Sequence, residues 1–206
     1  MRIAVLWGTG SFGRALAVRL REVGYSVCVG SRDADRAATV AAELGVDGAT
    51  NEAAAQEADL VVIATKAEAA LETARDLRDA IGTTPVLSVA AELRFTPNGV
   101  HPTEEATSLA ERIQAELDAP VTAGLHSLAA SNLGGDEAPR EDTLVCGDDP
   151  EAKRLALEVA GRVTRGRVVD AGPLASARAL EGLTAVIVNV NRRYGVRAGL
   201  HVSGLE

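Results

Sequence analysis

The stretch Met1 to Arg36, MRIAVLWGTGSFGRALAVRLREVGYSVCVGSRDADR, restricts the fold of this chain more than any other part of it. Arg2 to Leu6 is apolar and β-branched enough for a buried strand. It runs straight into Gly8-Thr9-Gly10-Ser11-Phe12-Gly13, a G-x-G-x-x-G, and then into an amphipathic helical pattern carried by Ala15, Leu16, Val18, Leu20 and Val23. Glycine has a separate reason at each place. Gly8 permits the tight turn, Gly10 lets backbone approach a pyrophosphate with no side chain between, and Gly13 lets the helix pack closely on the strand. The N–H groups that open the helix, around Ser11 and Phe12, then face the phosphates.

This context predicts an α/β fold, a Rossmann-type, doubly wound, mostly parallel sheet with a small C-terminal helical extension. The second strand, Tyr25 to Gly30, decides the cofactor. A protein choosing NAD usually ends that strand in Asp or Glu to hold the ribose 2′-hydroxyl, whereas Gly30, Ser31 and Arg32 stand here. A hydroxyl and a guanidinium suit a 2′-phosphate, and Arg36, about one helical turn on, adds a second cation, so NADP is expected. The alternative is that Ser31 or Asp33 only caps the next helix and Arg32 is solvated. A slip of register would also make Asp33 the ribose acid.

A formal net charge of −8 and a pI near 5.0 exclude a nucleic-acid partner, since no basic stripe offsets them. No run of about 18 apolar residues occurs, and the first strand begins without a signal-peptide pattern, so a soluble, cytoplasmic protein with no membrane association is expected. Cys28 and Cys146 read as buried hydrophobes, and three scattered histidines give no metal site.

Further along, Asp59 to Thr65 is a continuous apolar run suited to a central parallel strand beside the first, so Ala64 and Thr65 should border the pyrophosphate and the nicotinamide ribose. Asn51 is a plausible N-cap for 52–57. A helix is predicted over 67–80, a strand over 85–90, a loop over 94–102 and a helix from Thr103 to Leu117. Strands follow over 121–125, ending at His126, and over 143–147, then a helix opening at Pro150 and a short strand over 168–170. The segment from Leu174 to Tyr194 is apolar around so much of its circumference that burial is expected, with a homodimer interface as the means. No linker separates independent domains.

Taken together, these residues resemble the NADPH-dependent reductases of the deazaflavin coenzyme F420. The opening motif and Val29-Gly30-Ser31-Arg32 fit many NADP enzymes. The specific blocks are Leu125-His126, Val145-Cys146-Gly147-Asp148-Asp149, Asp170-Ala171-Gly172-Pro173-Leu174, Leu183-Thr184-Ala185 and the ending Val190 to Tyr194 followed by Ala198-Gly199. The resemblance implies hydride transfer between NADP(H) and coenzyme F420. It implies that Thr9, Ser31, Arg32 and Arg36 hold the 2′-phosphate, that Ala130 approaches the nicotinamide carboxamide, and that His126, Leu128 and Thr184 line the deazaflavin side. Residues 1–170 would then be the NADP-binding domain, and 171–206 the helical segment for the deazaflavin pocket and dimer interface. The chain departs from the family pattern at Trp7, at Thr65-Lys66-Ala67, at Val89 to Leu93 and at Gly182, where a serine is usual. His126 and nearby backbone N–H groups are expected as donors to the acceptor ring. A reductase of another small substrate and a non-catalytic NADP(H) sensor stay open at this point.

Overall fold

The computed structural model describes residues 1–205. Its sheet starts from β1 (Arg2–Leu6), in which side chains alternate between two covered faces: Ala4 and Leu6 enter one core cluster, Ile3 and Val5 the other. Burial on both faces is why this strand reads as an unbroken apolar run. After α1 (Ser11–Glu22), β2 (Ser26–Ser31) pairs in parallel with β1 in the register Ile3 to Val27. Then come α2 (Ala34–Leu44), β3 (Asp47–Thr50), α3 (Asn51–Gln56) and β4 (Leu60–Ile63). β4 returns to the other side of β1, with Ile3 beside Leu60, and this reversal opens the crevice at the C-terminal ends of the two strands.

The second half adds α4 (Ala67–Asp76), α5 (Arg78–Ile81), β5 (Val86–Ser88), β6 (Leu93–Thr96), β7 (Gly99–Pro102) and α6 (Leu109–Glu116). It continues with β8 (Val121–Gly124), α7 (Ala130–Leu133), β9 (Thr143–Gly147), α8 (Pro150–Val163) and β10 (Val168–Asp170). A 3-10 turn at Leu174–Ser176 leads into α9 (Ala177–Tyr194). The eight-stranded sheet has the order β10-β9-β8-β5-β4-β1-β2-β3, parallel except where β8 meets β9. The expected doubly wound architecture is therefore present.

Local readings needed correction in five places. Residues 94–102 form a hairpin rather than a loop, β6 against β7, pinned by Asn189 of α9, whose amide bonds both the N–H and the C=O of Val100 at 2.8 and 2.7 Å. That partner lies 89 residues away, out of reach of any local pattern. The helix expected from Thr103 begins at Leu109, because the capping box is Ser108 with Glu111, and the Thr103 hydroxyl instead donates to Glu92 at 3.1 Å. The helix expected over 67–80 breaks at Leu77 (φ −104°, ψ 8°) into α4 and α5.

Thr50, not Asn51, caps α3; the Asn51 amide turns inward. Finally, α9 is not buried all round. It packs Ala177, Leu180, Glu181, Ala185 and Ile187 inward, while Val186 is 57% and Tyr194 67% exposed.

The tail after α9 is clasped to the sheet edge by Asp142. Its carboxylate accepts from the Val202 N–H at 2.8 Å and from Arg167 at 2.8 Å, while the Asp142 N–H donates to Leu200 O at 2.9 Å. The Arg167 guanidinium, aided by the Val202 N–H, holds that carboxyl well below the usual carboxylate range.

Candidate functional site

The crevice between β1 and β4 is lined by the glycine turn, and the three glycines separate by environment. A Cβ on Gly8 would stand 2.7 Å from Val5 O, and one on Gly13 would stand 2.6 Å from Gly8 Cα. A Cβ on Gly10 would meet nothing closer than Trp7 O at 3.9 Å. Gly8 and Gly13 are thus demanded by packing within the chain. Gly10 keeps an open face free, the space a pyrophosphate needs. Helix α1 starts there with no side-chain cap and no acid in its first turn, so the N–H groups at Ser11 and Phe12 keep their affinity for an anion. Phe12 itself is half-buried against the core cluster below.

A cleft of about 460 Å³ extends from this turn. The structure brings Thr9, Gly10, Ser31, Arg32, Arg36, Ala64 and Thr65 to its walls, with Trp7 and Lys66 beside them. Asp33 caps α2, its Oδ1 accepting from the N–H groups of Asp35 and Arg36 at 3.0 and 3.1 Å, so this oxygen is committed to the helix and not to a ribose diol. Ser31 Oγ accepts from the Asp33 N–H at 3.2 Å, which leaves the hydroxyl proton to be donated into the cleft. Among the described residues Arg32 and Arg36 form no ion pair; Arg32 lies over the Trp7 ring, its Cζ 4.4 Å from the centroid. Three unpaired basic side chains, Lys66 included, around one hydroxyl make an anion site, and a dinucleotide carrying a 2′-phosphate fits it.

Across the crevice, β8 ends in Gly124, and Leu125 then takes φ 64°, a left-handed conformation rare for a bulky residue. This sharp turn delivers His126 into the interior, where it is 7% exposed. Its Nε2 lies 3.1 Å from Ala90 O, so Nε2 carries the proton and donates, and the buried Nδ1 is left as an unpartnered acceptor. The role of ring donor expected of His126 is therefore corrected: its one N–H is already given to Ala90. Burial pushes the His126 imidazole down to about 4, partly offset by that bond, so it is neutral at ordinary pH.

The Thr184 hydroxyl, 58 residues on, donates to His126 O at 3.1 Å. The two residues are thus in contact across the fold. Leu128 is buried in the same core as Leu125, to whose carbonyl its N–H donates at 3.0 Å. Gly182, two positions before Thr184, faces away instead: a Cβ there would lie 3.4 Å from Pro102 of the hairpin. Ala130 opens α7, which packs on α1.

That packing is fixed by a residue the sequence reading missed. Arg19, 6% exposed, donates to the carbonyls of Leu133, Gly135 and Glu137 at 2.6 to 3.2 Å, tying the loop after α7 to the helix whose N-terminus opens the phosphate cleft. An arginine three residues after Leu16 on the apolar face of α1 was the available signal. Glu181 was missed as well. It lies buried on α9, accepts from the Leu109 and Ala110 N–H groups at 3.0 and 3.1 Å, and so docks α9 onto the start of α6.

Among the described residues no cluster of His, Cys, Asp or Glu could hold a metal ion. No helix is long and apolar enough to cross a membrane.

Comparison with known proteins agrees with this geometry. Residues 2–92 match the family model described as NADP oxidoreductase coenzyme F420-dependent. The F420-dependent NADP reductase of Methanothermobacter thermautotrophicus is 32% identical, over 100% of this chain and 96% of its own length. That of Methanocaldococcus jannaschii is 30% identical over the whole of both chains. Among solved structures, a candidate F420-dependent NADP-reductase from Arthrobacter sp. fb24 superposes with a TM-score of 0.85 at 26% identity, covering 98% of this chain and 99% of that one.

Proposed function

The chain belongs to the F420-dependent NADP reductases, and from that premise we propose how its residues divide the work of the reaction. The protein is an oxidoreductase that transfers a hydride between NADP(H) and the deazaflavin coenzyme F420. When bound, the two coenzymes supply the chemistry themselves, the nicotinamide C4 and a deazaflavin carbon exchanging the hydride directly. The chain's task is positioning and exclusion of water. Residues 1–170 hold NADP: backbone at Gly8, Thr9, Gly10, Ser11, Phe12 and Gly13 receives the pyrophosphate. Ser31, Arg32 and Arg36 hold the 2′-phosphate, Ala64 and Thr65 border the ribose, and Ala130 flanks the carboxamide.

Residues 171–206 complete the deazaflavin side, where Thr184 meets His126, Leu128 lines the pocket, and Gly182 leaves room for the hairpin. No acid or base is assigned: the hydride passes from ring to ring, and the one proton that oxidation of the reduced deazaflavin releases goes to solvent.

The observation that carries the reading is the cleft uniting Thr9, Ser31, Arg32 and Arg36 with the open face of Gly10. Its test is Arg32→Ala, which is expected to weaken NADP(H) binding by about 1.5 to 3 kcal/mol, the worth of a charge-assisted hydrogen bond, and to leave NAD(H) binding unaltered. Equal affinity of the unaltered protein for NADP(H) and NAD(H), measured by titration calorimetry, contradicts it.

Two further parts of the reading concern setting and assembly. Cys28 and Cys146 are both free and buried, with burial pushing the Cys146 thiol up to about 12, which suits a reducing cytoplasm. A homodimer is supported by Phe95 on the hairpin and by Val186 and Tyr194 on α9, which are 68%, 57% and 67% exposed. Light scattering at micromolar concentration should give twice the 21.3 kDa chain mass; a monomer mass contradicts the homodimer.

A further inference from the structure

Trp7 occupies the point where β1 runs into the glycine turn, and it does so in an unfavourable conformation. Its φ is 58°, left-handed, and it is one of only two non-glycine residues with positive φ among the described residues, the other being Leu125 before His126. A bulky residue persists there only if its surroundings over-determine it. Two features do so. The Trp7 N–H donates to Asn51 Oδ1 at 3.2 Å, and Asn51 reaches it because Gly30 has no Cβ; one built there would stand 2.6 Å from the same oxygen.

The indole then lies flat beneath Arg32, whose Cζ is 4.4 Å from the ring centroid. Arg32 is otherwise exposed and without an ion pair among the described residues, so the ring is the contact that orders its long side chain. A glycine at position 7 would leave the turn unstrained, and either glycine or alanine there would leave Arg32 free to roam.

We infer that Trp7 is a specificity-determining positioning residue: its ring holds the Arg32 guanidinium over the cleft, so that discrimination for the 2′-phosphate of NADP(H) runs through Trp7. This rests on the proposed NADP site. Trp7 lines that cleft and also a neighbouring one of about 280 Å³, walled by Glu52, Glu72 and Asp76, so the Trp7–Arg32 stack is the partition between them. Arg32 lines this second cleft too, together with the carboxylates of Glu52, Glu72 and Asp76. The stack removes rotamer freedom before the ligand arrives and fixes the cation at the wall the two clefts share.

The test is a double-substitution cycle read by calorimetry with NADPH and NADH, on the full chain. Trp7→Ala should weaken NADPH about 5- to 20-fold, the span of a cation–π contact, and change NADH less than about twofold. Trp7→Phe, which keeps a π face, should restore most of the difference. In an Arg32→Ala background Trp7→Ala should have no further effect on NADPH.

Trp7 is also the only tryptophan, so adenosine 2′,5′-bisphosphate should perturb the intrinsic fluorescence of the unaltered protein more than adenosine 5′-phosphate does. Equal weakening of NADPH and NADH, additive losses in the double variant, or equal fluorescence responses overturn the inference while leaving the NADP site intact. A parent protein that binds NADPH and NADH alike overturns the NADP site and this inference with it.

Discussion

Arg19→Met should destabilise the protein by about 1 to 3 kcal/mol, the cost of leaving a buried backbone carbonyl without its donor. The substitution keeps a long apolar stem on the core side of α1, so little packing is lost. What it removes is the guanidinium that donates to the carbonyls of Leu133, Gly135 and Glu137. The Leu133 carbonyl is buried and carries most of that cost, whereas Gly135 and Glu137 are exposed and their carbonyls can turn to water.

Arg19→Lys should recover only part of the loss, since an ammonium presents a point charge where the guanidinium presents a fixed fork. Urea unfolding is the measurement, and a chain of this length should also lose roughly 5 °C in melting temperature. A loss below about 1 kcal/mol would show that the loop after α7 finds other donors.

Arg19 also marks where the sequence was legible and where it was not. The architecture followed from short-range patterns: a strand, a glycine turn and a helix repeat every few residues, and their periods are local. The phosphate cleft was readable for the same reason, since Thr9, Ser31 and Arg32 sit just at or after strand ends of one βαβ unit and Arg36 in the first turn of the helix that follows. What escaped was long-range. The hairpin is set by Asn189, the α7 loop by an arginine more than a hundred residues earlier, and the start of α6 by Glu181.

Trp7 was visible as a departure from the family pattern, but its stack on Arg32 depends on Asn51 and Gly30, from two other elements. His126 and Thr184, 58 residues apart, are in contact, and the resemblance alone pointed to the pair. The His126 tautomer was settled only by Ala90 O, which no sequence pattern points to.

His126 gives the second large effect, and it is a dependence on pH. An unfolded histidine takes up its proton near 6.5, whereas buried His126 resists until about 4. Between those values the unfolded chain binds more protons than the folded one, so stability is full above 6.5 and falls as pH drops through the window. Each step of one pH in that range costs about 1.4 kcal/mol, which sets a ceiling of about 3 kcal/mol.

His126→Gln, which can still donate an N–H toward Ala90 O, removes the titration. The stability difference between the parent and this variant should therefore shift by up to about 3 kcal/mol against the parent from pH 7 to pH 4. Parallel curves over that range would mean that His126 ionises normally in the folded state. Because the imidazole stays neutral above about 5, the hydride-transfer rate should also show no His126 ionisation between pH 6 and 8.

The central claim is that one crevice brings NADP(H) and the deazaflavin ring together for direct hydride exchange. It is tested most directly by mixing the purified protein anaerobically with reduced coenzyme F420 and NADP and following both chromophores at once. One NADPH should form for each reduced deazaflavin consumed, and NAD in place of NADP should slow the exchange at least about tenfold. A protein that binds NADPH tightly, yet exchanges no hydride with both coenzymes saturating, contradicts the account and leaves a sensor or a reductase of another substrate in its place.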